Sequence, residues 1–257
     1  MVPHLAAGLV LFAAAIAASP SMQTVSPAAD IAFIEKYLGA GVVGQPVAAG
    51  PIEKPSDWLA AGPTRMTFRV MNPSAGSPTT EIEEFAAVPR PTPAPRWSLR
   101  AGNRVVSYLE ASADGGIGRL SQFDSQHAVI SRFAPPETVI PAGIAPGQSV
   151  ERTVAVTVSD AATPEEVKYR GSLRQTLTYV GAFQVTVPAG TFDAILLDVH
   201  IDGDVGPASI HDHVCFFFAK GVGRVASVEQ KSVSAFLFYN KDERNGRVLV
   251  SREAIGG

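Results

Sequence analysis

Apolar and polar residues alternate along much of this chain with the two-residue period of β-strands. Met66, Phe68 and Val70, for example, are separated by polar residues, and similar alternation recurs through the second half of the chain. Turn-forming sequences separate these segments, and Asn245-Gly246 predicts a closing hairpin. Because alternation places apolar side chains on one face of a sheet, we predict a mainly β fold, either an antiparallel sandwich or a curved half-barrel.

One short helix is predicted at the N-terminal side of the strands. Ser26 can cap it, Pro27 suits the first helical position, and Gly39 and Gly41 can end it. Three apolar residues recur at helical spacing, namely Ile31, Ile34 and Leu38. They predict a helix with one face against a core.

The beginning of the chain resembles an export signal. The first 29 residues contain no Lys, Arg, Asp or Glu, and an apolar run of 14 residues extends from Leu5 to Ala18. This run is short for a bilayer span, which needs about 20 residues, but it suits the core of a signal peptide. A buried N-terminal helix is the alternative interpretation. We predict a signal peptide over residues 1–18 and a periplasmic or secreted protein without a transmembrane span in its mature form.

A proline-rich segment predicts a boundary within the chain. Proline occupies every second position from Pro89 to Pro95, which removes backbone donors and favours an extended connector. Residues 19–96 would then hold the N-terminal helix, a β-hairpin and this connector. Residues 97–257 would form the main antiparallel β domain.

Composition excludes several classes of protein. Hydrophobic residues make up 46% of the chain and charged residues 18%, which indicates a folded core rather than global disorder. The net charge of −3 and the lack of basic clusters argue against nucleic-acid binding. Cys215 is the only cysteine, so no intramolecular disulfide can form.

A histidine-rich strand gives the first candidate site. The segment from Ser209 to Phe218 places His211, His213 and Cys215 on one face of a strand. The preceding strand places Asp198 and His200 on its polar face.

A hairpin of these two strands would keep their apolar faces together. Pairing Ile201 with Ile210 sets His200 opposite His211 and Asp198 opposite His213, and a shift of two residues preserves the faces. The pattern therefore allows a metal site formed by Asp198, His200, His211 and His213, with Cys215 as a further candidate ligand, which would suit zinc or copper. A solvated polar face, with Cys215 as a buried apolar residue, is the alternative.

Aromatic residues give the second candidate site, and this hypothesis leads. A curved sheet with an aromatic face could hold a lipid or another apolar small molecule. The candidate ligand-binding residues are Phe216, Phe218, Phe236 and Phe238. The protein would then be a non-catalytic binding or envelope-accessory protein without a cofactor, and the alternative for these rings is a place in the core.

Catalytic motifs are absent from the sequence. It contains no G-x-S-x-G elbow, H-E-x-x-H, Walker loop or dinucleotide fingerprint. A hydrolase with a site scattered over loops stays open as a further hypothesis, but no nucleophile can be named for it.

Two sequence motifs carry a resemblance to a known class of protein. "VTVPAGTFDAILL" (185–197) and the later "AKGVGRVASVE" (219–229) resemble a pattern in uncharacterised exported bacterial β-rich proteins, classed as a domain of unknown function. The turn "IPAGIAPGQ" (140–148) belongs to the same pattern. The resemblance spans residues 97 to 250 and implies an envelope β-domain without an assigned activity.

Overall fold

The structure is a computed structural model that describes residues 27–256 apart from 73–76, 90–95 and 236–238, with side chains described from residue 31 and outside 235–241. The predicted signal peptide and most of the proline-rich connector therefore lie outside the described residues. The described elements are α1 (Pro27–Leu38), β1 (Val43–Val47), a 3₁₀ helix (Pro55–Trp58), β2 (Thr64–Met71), β3 (Thr79–Ala87), β4 (Arg96–Ala101), β5 (Val105–Ala111), β6 (Ile117–Asp124), β7 (Val129–Ile140), β8 (Gln148–Asp160), β9 (Val167–Val187), β10 (Gly190–Val205), β11 (Ala208–Ala219), β12 (Gly223–Ala235) and β13 (Tyr239–Ala254).

The strands form one antiparallel sheet that closes on itself. Strands β2 to β8 follow one another in the sheet, β8 pairs with β9, and β9 to β13 lead back to β2. The mainly β prediction is confirmed, but the sandwich or half-barrel is corrected to a closed twelve-stranded barrel. Closure depends on β9, whose 21 residues pair with β10, β8 and, near its end, β1. Strands β2 and β3, which precede the proline-rich segment, pair with β13 and β4 in this sheet.

Ion pairs occupy part of the barrel interior. Arg119 Nη2 contacts both carboxylate oxygens of Glu137, at 2.7 and 2.6 Å, and Arg247 Nη1 contacts Glu229 at 2.9 Å. Arg119 on β6 also interacts electrostatically with Asp212 on β11 and Glu229 on β12. Because β6 is not a neighbour of β11 or β12 in the sheet, this interaction indicates that the three side chains lie on the inner side of the barrel wall.

A second core lies outside the barrel wall, beneath α1. Val199 pairs with Val214, which pairs with Glu229, so these residues face the interior. Leu196 and Asp198 alternate with the interior residues of β10, and they are nevertheless buried. Helix α1 packs against β12 and β13 and provides the outer cover. Strand β10 is therefore buried on both faces over its central part.

Helix α1 confirms the predicted N-terminal helix, but the predicted hairpin at Asn245-Gly246 is wrong. Strand β13 continues through these residues, and Gly246 pairs with Val228 on β12 and Met71 on β2. A Cβ atom on Gly246 would lie 2.6 Å from the carbonyl oxygen of Tyr37 in α1. This glycine thus lets the helix approach the sheet rather than reversing the chain.

Neither α1 nor the 3₁₀ helix has the length and apolar character of a bilayer-crossing helix, and the described residues contain no other candidate for one.

Candidate metal centre

The candidate site lies on the β10–β11 hairpin. A two-residue loop, Gly206-Pro207, joins the strands. Gly206 has a φ of 59°, the positive value that tight hairpin turns require at their first central position. The short loop extends β10 to Val205 and fixes which residues of the two strands face each other.

The observed register differs by two residues from the predicted one. His200 lies opposite His213, and Asp198 lies opposite Cys215. The predicted pairing of Ile201 with Ile210 is wrong, since Ile201 lies opposite Asp212. The turn is tighter than the sequence suggested, and this difference moves the register. A shift of two residues preserves the faces of a strand, so the predicted polar face is correct.

Asp198 is the centre of the site. Its side chain is 3% exposed, and its two carboxylate oxygens contact different histidines. Oδ1 lies 2.6 Å from His213 Nε2, and Oδ2 lies 3.2 Å from His200 Nε2. Both imidazoles therefore direct the same ring nitrogen toward one buried carboxylate.

Cys215 adds a thiol to this group. Its Sγ lies 3.3 Å from Asp198 Oδ1 and 3.7 Å from His213 Nε2, and the residue is fully buried. The sequence pattern named Cys215 as a further candidate ligand beside the four predicted ones. Its position opposite Asp198 depends on the register, which the sequence alone did not give.

Phe33 of α1 covers one face of His213, the middle ring of a stack of three. Its ring stacks on His213 with a centroid separation of 4.6 Å, and His213 stacks on His200 at 4.0 Å. Sequence reasoning missed Phe33, because it lies outside the helix face traced by Ile31, Ile34 and Leu38. This stacked arrangement fixes the planes of both imidazoles.

The charge state of Asp198 follows from its surroundings. Burial by itself raises the pKa of this carboxyl, but the hydrogen bonds and charges of His200 and His213 outweigh burial. The net effect holds the pKa of Asp198 well below its usual range. Asp198 is therefore a carboxylate at neutral pH, as a metal ligand must be.

The donor atoms have separations that suit a metal ion. One ligand atom each from Asp198, His200 and His213 lies within 4.8 Å of the others. Zinc holds nitrogen and oxygen at about 2.0–2.2 Å and sulfur at about 2.3 Å, so tetrahedral ligand atoms lie roughly 3.3–3.6 Å apart. The 3.2 Å contact of His200 with Asp198 and the 3.3 and 3.7 Å contacts of Cys215 with Asp198 and His213 are close to those values. The 2.6 Å contact of His213 with Asp198 is shorter.

His211 does not join the group. Its Nδ1 lies 2.7 Å from Asp202 Oδ1, and its side chain is 65% exposed. The register places Asp202, not Asp198 or His200, opposite His211. The structure thus brings together three of the four predicted ligands.

The two described residues of the predicted aromatic site pack in or against the hydrophobic core. Phe218 is buried, Phe216 packs against the core, and their ring centroids lie 5.7 Å apart. Phe236 and Phe238 lie outside the described residues. The role of all four phenylalanines in ligand binding stays a prediction.

Comparisons with known proteins gave few matches. No family model and no curated protein matches the chain. A Bacteroides fragilis structure, named as an exported protein with a YmcC-like fold, is 14% identical with a TM-score of 0.42, and the match covers 80% of this chain and 100% of that one. A Parabacteroides distasonis structure, named as a lipoprotein, is 12% identical with a TM-score of 0.39, over 76% and 98% of the two chains. At these scores we draw no argument from either likeness.

Proposed function

We propose that this chain is an exported metal-binding protein whose site is formed by Asp198, His200, His213 and Cys215. The observation that carries the proposal is the convergence of two imidazoles and a thiol on one buried carboxylate. Carboxylates on a solvated sheet face are exposed, whereas the side chain of Asp198 is only 3% exposed. A bound metal ion would account for the convergence of all four side chains.

Zinc fits this donor set best. It accepts carboxylate oxygen, imidazole nitrogen and thiolate sulfur in a tetrahedral arrangement. Burial shields Cys215 from solvent oxidants, which matters for a thiol in an oxidising compartment. Copper(II) also favours imidazole ligands and is the alternative ion.

Metal binding by Asp198, His200 and His213 requires only small movements, since one ligand atom of each lies within 4.8 Å of the others. The hydrogen bond of 2.6 Å between Asp198 Oδ1 and His213 Nε2 is shorter than a ligand–ligand distance around zinc. The ion would replace the shared proton, and the distance between these two atoms would increase by less than about 1 Å. His200 is half-exposed and can provide the route by which the ion enters.

Export of the protein is supported by the apolar run from Leu5 to Ala18 and by the absence of charged side chains before Asp30. An exported metal-binding protein would sequester or carry the ion outside the cytoplasm. Amino-terminal sequencing of protein recovered from a periplasmic extract tests the export proposal, and an intact N-terminus on cytoplasmic material would contradict it.

Native mass spectrometry and calorimetry with zinc, made in parallel with copper(II), test the metal proposal. We expect a single zinc ion per chain. Asp198→Asn and His200→Ala should each reduce the affinity by more than the roughly 10–100-fold that is typical of changes outside the ligand shell. Cobalt(II) should give a thiolate charge-transfer absorption that Cys215→Ser removes.

His211→Ala is the matched control. This histidine lies two residues from His213 on the same strand, but it contacts Asp202 instead of Asp198. It should therefore leave the zinc affinity unchanged. Equal losses for His211→Ala and His200→Ala would show that zinc binds the exposed histidines without a defined site, and the proposal would then be wrong.

A further inference from the structure

A groove on the outer wall of the barrel lies across β4 to β7, away from the hairpin that carries the metal centre. This open groove has a volume of about 430 Å³, which is within the roughly 300–1,000 Å³ of small-molecule sites. Its floor combines apolar and aromatic side chains from three adjacent strands, namely Val106, Tyr108, Phe123 and Ile130.

The sheet register arranges these residues in two rows. Val106 pairs with Phe123, and Phe123 pairs with Ile130, so an apolar row crosses β5, β6 and β7. Neighbouring strands lie about 4.8 Å apart, which makes this row roughly 10 Å long. Tyr108 begins a second row that ends at Arg132. All these residues are partly exposed.

Two arginines border the apolar row. Arg100 lies on β4, where it pairs with Val106, and Arg132 lies on β7. Arg132 is held by Nη1, which donates to the carbonyl oxygen of Pro164 at 3.0 Å and to Ser159 Oγ at 3.4 Å. A guanidinium carries five N–H donors, so this anchor leaves donors for a ligand.

The acidic residue nearest to Arg100 in the cross-strand row is already paired. Glu84 lies opposite Arg100 on β3, and its Oε1 accepts hydrogen bonds from Arg65 at 2.8 and 3.0 Å. Arg100 is exposed at the border of the groove. The groove thus joins an apolar floor to cationic borders.

We propose that this groove binds a single-chain anionic amphiphile, such as a fatty acid. The acyl chain would lie along Val106, Phe123 and Ile130, and the anionic group would bind Arg100, the exposed one of the two arginines. Charge complementarity selects an anionic ligand over a neutral lipid, because guanidinium groups bind carboxylate and phosphate oxygens strongly. The ligand is of the lipid-like class predicted from the sequence, but it binds the groove across β4 to β7 instead of the predicted phenylalanines.

Calorimetry of the folded protein with laurate, kept below its micellar concentration, tests this proposal. Methyl laurate and inorganic phosphate serve as the chain-only and anion-only probes. We expect saturable binding of laurate, binding of methyl laurate weaker by about tenfold, and no saturable binding of phosphate. Arg100→Gln should weaken laurate binding by about tenfold, and Phe123→Ser should weaken it at least as much.

Arg69→Gln is the matched control. Arg69 is an exposed arginine on β2, outside the groove, and its substitution should not change laurate binding. Equal affinities for laurate and its methyl ester, equal effects of Arg69→Gln and Arg100→Gln, or no saturable binding of laurate would each overturn the proposal. Zinc affinity should be unaffected by Arg100→Gln, which separates this proposal from that of the metal centre.

Discussion

The rings of Phe33 and His213 lie nearly parallel, with an interplanar angle of 18° and centroids 4.6 Å apart. This contact joins the only α-helix of the described residues to the candidate metal centre. The helix therefore covers the site as well as the outer core.

Replacing Phe33 with alanine removes this contact. Loss of the stacked ring and its buried area should lower the free energy of unfolding by about 2 kcal/mol. Zinc affinity should fall by roughly 10-fold, because His213 loses the group that orients it. Urea denaturation and zinc calorimetry measure the two effects, and Phe33→Tyr, which keeps the ring, should preserve both. Unchanged values for Phe33→Ala would mean that α1 does not order the site.

A side chain at position 246 is expected to destabilise the protein. Gly246→Ala places a Cβ atom 2.6 Å from the carbonyl oxygen of Tyr37, so the helix or the strand must move. We expect the free energy of unfolding to fall by about 1–3 kcal/mol in urea denaturation. Gly50→Ala is the control, since a Cβ there meets nothing within 4 Å. If the two variants were equally stable, α1 would not pack closely on β13.

Removing only Arg119 from the Arg119–Glu137 ion pair should lower the free energy of unfolding. Glu137 is 7% exposed, so Arg119→Met leaves an unpaired carboxylate inside the barrel. We expect a loss of about 3–5 kcal/mol in the free energy of unfolding. Combining it with Glu137→Gln removes the unpaired charge and should restore part of the stability. A double variant whose loss equals the sum of the two single losses would contradict a direct interaction.

Glu229 should contribute to acid sensitivity. Burial raises the pKa of this carboxyl, but the charges of Arg247, Lys231 and Arg224 and the hydrogen bond from Arg247 together outweigh burial and hold the pKa below its ordinary value of 4.5. A carboxyl with a lowered folded-state pKa stabilises the protein above its unfolded-state pKa, and that contribution is lost as the pH falls through the folded-state value. The stability difference between wild type and Glu229→Gln should therefore shrink below about pH 4.5.

Thermal unfolding over a pH series measures this difference. Glu165→Gln provides the control, because Glu165 is exposed and its removal should leave the pH profile of the wild type unchanged. A constant difference between wild type and Glu229→Gln across the series would mean that the Arg247 contact does not favour the ionised carboxyl.

The sequence determined the local structure and the faces of the strands. Alternation along β10 separates Leu197 and Val199 from Asp198 and His200, and a backbone with a two-residue period must keep those faces apart. The polar face of β11 follows in the same way. Helix α1 was predictable from its proline start, its apolar spacing and its terminal glycines, because these signals act over only a few residues.

Only the tertiary structure decided which residues meet. The register of the β10–β11 hairpin depends on a loop of two residues, and it brings Cys215 rather than His213 opposite Asp198. Closure of the barrel depends on the pairing of β8 with β9, and the position of Phe33 over His213 depends on how α1 packs. These relationships join residues far apart in the chain, and alternation gives the face of a residue but not its partner.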